Sequence, residues 1–81
     1  MAMRAVVKRV YWQHRGDVAC DFCNRVMDDQ FTDGKTKHGP WAIMCNDCLP
    51  YHSIATRNYH GQGLGQQYTL QATGRWLKTE G

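Results

Sequence analysis

Four cysteines are the residues of this chain whose types and spacing could do chemistry. They fall as Cys20-Asp21-Phe22-Cys23 and Cys45-Asn46-Asp47-Cys48, two C-x2-C pairs separated by 21 residues. Two residues between thiols let a tight turn aim both sulfurs at one point. Two such turns supply a tetrahedral four-thiolate site. The expected cofactor is one structural Zn2+ held by Cys20, Cys23, Cys45 and Cys48. Iron accepts the same donor set, and zinc is preferred because nothing else here suggests electron transfer. Disulfides inside the pairs would close very short loops and constrain the unfolded chain little. A thioredoxin-like motif would need a βαβ context that is absent. Four thiolates leave the ion no open position for water, so such a site holds structure and does not hydrolyse.

The elements that must position these turns can be read around them. Residues 4–12 are β-branched and aromatic and read as a strand, followed by a turn at His14-Arg15-Gly16-Asp17. Asn24, directly after the first pair, suits the left-handed conformation such turns often need. Gln30–Thr32 leads into Asp33-Gly34, a strong hairpin dipeptide, and His38-Gly39-Pro40 is a second break. Trp41–Met44 then runs into the second pair. Residues 49–56 suit a short helix, capped by Asn46 or Asp47, with Pro50 in its first turn. Gly61-Gln62-Gly63-Leu64-Gly65 reads as a turn where backbones approach closely, since it lacks the strand and helix context of a phosphate loop. Gln66–Ala72, a Thr73-Gly74 turn and Arg75–Lys78 form a terminal hairpin. The expected fold is a small metal-bound α+β domain. It is a treble-clef or zinc-ribbon-like module with short β-hairpins, one short helix and a C-terminal hairpin. One domain spans 1–81, with an N-terminal strand segment at 4–15, the zinc module at 18–56, and the glycine-rich loop and terminal hairpin at 57–81.

Size makes the metal matter. At 81 residues, with 42% hydrophobic and 21% charged residues, the composition is globular but allows only one domain. Such a chain buries only about 60–65% of its unfolded surface, and scaffolds near about 70–80 residues often need a staple. No apolar run is long enough to span a bilayer, and charges interrupt every apolar stretch of the first nine residues, unlike a signal peptide. The expected compartment is a reducing cytoplasm, which also argues against disulfides.

From Asp33 onward, with the first cysteine pair, the chain resembles a group of small bacteriophage proteins. The residues that carry the resemblance are Cys20-Asp21-Phe22-Cys23, Asp33-Gly34-Lys35-Thr36, Gly39-Pro40-Trp41-Ala42, Met44-Cys45 with Cys48, and Gly63-Leu64-Gly65-Gln66-Gln67-Tyr68. It covers about residues 18–70. It implies a small zinc-binding phage protein, in the host cytoplasm, and no particular biochemical activity.

No catalytic constellation accompanies the cysteines, and the chain is expected not to be an enzyme. A treble-clef nuclease would need a histidine base before the hairpin and a second ligand on the helix, and no Asp-His or His-His pair stands there. His52, four residues after Cys48, is expected at the surface or against a ligand rather than on the metal. His38 reads as a turn residue. Trp41, one turn before Cys45, is expected to pack over the site, and most other aromatics to form the core. Tyr11, Tyr59 and Trp76 are candidates for exposed stacking or interface positions.

The leading expectation is a non-enzymatic binding module, a phage accessory protein docking on a host or phage protein. The alternative is DNA or RNA binding through basic terminal arms, with Arg4, Lys8, Arg9, Tyr11, Arg15, Arg57, Tyr59, Arg75, Trp76 and Lys78 as the binding residues. An exposed edge on the terminal hairpin would permit a homodimer. The formal net charge of +3 hides an asymmetry. Between Cys20 and Cys48, three cations (Arg25, Lys35, Lys37) face five acids (Asp21, Asp28, Asp29, Asp33, Asp47), a net −2. Four thiolates and a dication take that to −4. Elsewhere seven Lys/Arg face only Asp17 and Glu80, a net +5. The sequence therefore describes an acidic metal module flanked by basic arms.

Overall fold

A computed structural model describes residues 9–14, 16–54 and 64–81. Its centre is an antiparallel sheet of four strands, β1 (Gln30–Lys35), β2 (Trp41–Met44), β3 (Gly65–Leu70) and β4 (Trp76–Glu80), in the order β2-β1-β3-β4. One helical turn, α1 (Leu49–His52), follows β2. Among the described residues no helix is long and apolar enough to cross a membrane.

The first hairpin departs from the sequence expectation. Asp33 and Gly34 do not turn; they sit inside β1, where Gly34 pairs with Ala42 on one side and Gly65 on the other. Gly is there because three backbones converge. A Cβ on Gly34 would meet the Leu64 carbonyl oxygen at 3.1 Å and Thr32 Cγ2 at 3.2 Å. The turn comes later. Thr36 donates its backbone N–H to the Pro40 carbonyl, Gly39 donates to Thr36, and Gly39 takes φ 109°, which only glycine adopts at little cost. Gly65, at the end of the glycine-rich segment, is the other side of the Gly34 contact, as a close backbone approach requires.

Directly opposed residues of an antiparallel pair share a face. Phe31 and Tyr68 are such a pair, and so are Leu70 and Trp76. Phe31 and Tyr68 stack with ring centres 5.2 Å apart, and Trp76 meets Phe31 edge-on at 4.9 Å. Trp12 closes the cluster, edge-on to both Phe31 and Tyr68. Such pairs contribute about 0.5–1.5 kcal/mol each beyond their area burial. Val18, Met27, Cys20 and Cys45 complete this core. Trp76 is 6% exposed, so it is a core residue and not the exposed platform its sequence context allowed.

Residues 10–12 continue the sheet beyond β4. Lys78 donates its backbone N–H to Val10, Trp12 donates to Trp76, and Tyr11 pairs with Leu77. That is the described end of the expected N-terminal strand; residues 4–8 lie outside the described residues. It also occupies the hairpin edge on which the homodimer expectation rested. At the opposite border, Asp21 covers β2: its backbone N–H donates to the Ile43 carbonyl, and its Oδ2 accepts the Ile43 N–H at 2.7 Å. The helix is shorter than the expected 49–56. The chain after it joins residues 35–37: Lys37 donates to His52, Ile54 donates to Lys35, and Thr36 bridges Ser53. Neither Asn46 nor Asp47 caps α1; Cys48 stands at its N-terminus without a side-chain cap.

Candidate metal centre

Each cysteine pair is set in a turn built from its own backbone. In the first, Ala19 bridges Val26, Cys20 donates its N–H to Arg25, and Asn24 donates to Cys20 from a left-handed φ of 62°. In the second, Cys48 and Leu49 both donate to the Cys45 carbonyl, which starts α1. The turns face each other, and all four Sγ atoms lie within 4.8 Å of one another.

The donor set fits a tetrahedral metal–thiolate centre. Bonds of about 2.3 Å give sulfur–sulfur edges of about 3.8 Å. Cys23 Sγ and Cys45 Sγ are 3.8 Å apart. All four cysteines are free rather than paired in disulfides. Backbone donors also point at sulfur, with the Cys45 N–H 3.5 Å from Cys20 Sγ. These four residues could hold a metal ion, as their spacing predicted.

These thiols do not share the tendency to ionise. Burial opposes the Cys20 thiolate, but N–H groups of Cys45, Cys23 and Phe22 outweigh it and bring its pKa down to about 7. For Cys23 the Arg25 N–H favours the thiolate, yet desolvation and the thiols of Cys20 and Cys45 win and push it up. Cys48 is pushed up by desolvation and by all three other cysteines. Four sulfurs this close resist carrying four charges by themselves, and a bound dication reverses that balance.

Two side-chain contacts tie the turns together, and sequence reasoning missed both. Phe22 stacks on His52 with centroids 3.7 Å apart and planes within 4°. Arg25 Nη1 reaches Asp47 Oδ2 at 3.2 Å, and the same guanidinium lies 3.8 Å from Asp28. Phe22 and Asp47 each lie between the two cysteines of a C-x2-C pair, which was the available signal. His52 thus touches a turn residue rather than adding a fifth ligand. Trp41 does not cover the site. β2 is extended, so four residues span about 13 Å rather than one helical turn, and Trp41 is 46% exposed at its far end.

Of the residues expected to form a binding surface, Arg4, Lys8, Arg15, Arg57 and Tyr59 lie outside the described residues. Arg9 is exposed and Lys78 half-buried on β4. Tyr11 and Arg75, far apart in sequence, come together: the guanidinium carbon sits 4.0 Å over the tyrosine ring. No protein-family model matches the chain, and no curated protein or solved structure matches it.

Proposed function

We propose that this chain is a zinc-stabilised, non-catalytic binding module that docks on another protein. Zinc is the ion best suited to four thiolates in a closed tetrahedron with no redox partner in view. A turn, a hairpin, and a second turn opening a short helix form the order of a treble clef. The sequence resemblance supports a phage accessory protein working in the host cytoplasm.

One observation carries the docking reading. Among the described residues six large hydrophobics are exposed, and five of them (Phe22, Val26, Trp41, Tyr51 and Ile54) lie between residues 22 and 54, the sixth being Val10. Tyr51 is 74% exposed, on a helix whose Leu49 is buried. Exposed aromatics are the common anchors of protein interfaces, and the acids of this region suit a partner with a basic rim.

The test is capture from nuclease-treated host lysate by the zinc-loaded chain, beside Trp41→Ala and Tyr51→Ala variants with verified zinc content. A nuclease-resistant partner retained by the parent and lost at least about tenfold by either variant is expected, since anchor truncations cost about 2 kcal/mol or more. Retention that vanishes with nuclease, or is indifferent to both substitutions, would remove the proposal. A second reading, nucleic-acid binding by the basic arms, draws on a single contact, the Arg75 guanidinium over Tyr11.

A further inference from the structure

Where residues 11–14 leave β4 beside the 71–75 turn, they frame a cleft of about 600 Å³. That volume is within the range of small-ligand sites. Its wall is unusual in composition. Tyr11, Trp12, His14 and Trp76 supply rings, Arg75 supplies a cation, and Gln13, Thr73, Gly16 and Gly74 complete it. There is no carboxylate and no aliphatic side chain among them. An apolar peptide or a lipid tail would call for aliphatic walls. Rings with a cation and no acid call for a flat π-system that carries negative charge.

The walls of the cleft are tied to the core and to one another. Trp12 and Trp76 are joined backbone to backbone at 2.9 Å and both pack edge-on against Phe31. Trp12 in turn holds His14, ring centres 5.3 Å apart. The turn is closed by Gln71 donating to Arg75 and Gly74 donating to Gln71, with Gly74 at φ 87°. Tyr11 fixes one side of the Arg75 guanidinium. The side chain is exposed, so its donors remain open to an anion. Immobilising the cation beforehand lowers the entropy lost on binding.

We infer that this cleft binds one nucleotide unit of a single-stranded nucleic acid, its base against the accessible rings of Tyr11, Trp12 and His14 and its phosphate on Arg75, with the buried Trp76 as the floor beneath them. The inference rests on the nucleic-acid reading and narrows it from the basic arms in general to this place. A strand fits better than a free nucleotide because the surface continues past the cleft. A second depression of about 150 Å³ lies along the same segment, lined by Val10, Tyr11, Trp12, Gln13, His14 and Tyr68. Duplex is disfavoured because its bases are already stacked and cannot lie on rings.

The experiment is fluorescence anisotropy of labelled decathymidylate with the zinc-loaded chain at 50 and 200 mM salt. AMP and a ten-base-pair duplex serve as competitors. Arg75→Gln and Tyr11→Leu are the test variants, and Lys37→Gln, in the acidic region, is the control. Zinc content and circular dichroism report on folding. Single-strand affinity is expected to fall about tenfold in each test variant, to hold in the control, and to lose about 0.7 from its log–log salt slope with Arg75→Gln. Equal affinity in all variants would overturn the cleft and leave the basic-arm reading standing. No binding by the parent at 50 mM salt would overturn both. AMP binding as tightly as the ten-mer, or duplex winning over single strand, would overturn the strand assignment.

Discussion

Residues 18–54 hold four clustered sulfurs; residues 10–14 and 64–81 bring Trp12, Tyr68 and Trp76 onto Phe31 of the first region. The first region is acidic, has little helix, and leaves five large hydrophobic residues in water. The second carries Arg75 and Lys78 against Glu80 and turns its large aromatics inward, with Tyr68 and Trp76 almost fully covered. The first region nevertheless supplies most of the buried hydrophobics among the described residues, Val18, Met27, Phe31, Met44 and Leu49 among them, so a metal at the cysteines would add to an apolar core rather than replace it. On the two proposed readings, a protein partner would meet the cysteine side, where large apolar residues are exposed, and a charged π-ligand the ring side, where a cation stands over a tyrosine.

The largest test of this division is removal of the metal. A structural ion supplies an apparent 10–16 kcal/mol, roughly, in small fingers, against about 5 kcal/mol from a core of this size. Cys20 and Cys45 belong to the same core as Phe31 and Trp76. Chelation, or Cys45→Ser, is therefore expected to unfold both regions together, read as simultaneous loss of far-ultraviolet dichroism and a red shift of tryptophan emission. A ring-side signal that survives verified metal loss would show two independent units. Acid should act like the chelator, since protons compete with the ion for thiolates.

Gly34→Ala probes the seam between the regions. The added methyl meets backbone at 3.1 Å and Thr32 at 3.2 Å, between the strands that join the two halves. A cost of about 1–3 kcal/mol is expected in denaturant melts of the metal-loaded protein, although the change is smaller than any truncation. A neutral result would mean that the β1–β3 contact bears little of the coupling.

The smallest effect concerns Asp33, on the same strand. Burial, then the charge of Asp21, raises its carboxyl pKa above the usual 3.8. The folded state thus holds that proton more tightly than the unfolded chain. Stability from this group is full below the unfolded value and is lost as pH rises through the folded one. Asp33→Asn should stabilise the protein at neutral pH by less than about 1 kcal/mol and flatten that decline. A melting temperature lowered at pH 7 would contradict it.

How much of this was legible in the sequence follows from the range of the interactions. The two cysteine turns, the left-handed Asn24, the Gly39-Pro40 break and the terminal hairpin depend on residues within a few positions of one another, and the text carried them. Asp33-Gly34 misled because its local preference is that of a turn, while pairing on both sides holds it extended; tertiary context overrides propensity. Trp41 misled through its period: four residues are one turn only in a helix. Trp76 could be assigned inward only once the register of β4 against β3 was fixed, and that ladder slips at Gln67/Tyr68. The Phe22–His52 stack and the Arg25–Asp47 pair join turns far apart in sequence, and no local pattern announces them.

The hydrogen bonds from Asp21 to Ile43 have a further consequence. Asp21 is inside the first C-x2-C pair, so the loop that supplies metal ligands also blocks the outer border of β2. Loss of a bound ion would release that loop as the domain unfolds, leaving the β2 segment with open backbone donors and acceptors beside Trp41 and Ile43. Solubility would then be tied to metal supply, since a chain without its ion presents an unpaired apolar strand that a loaded chain keeps covered.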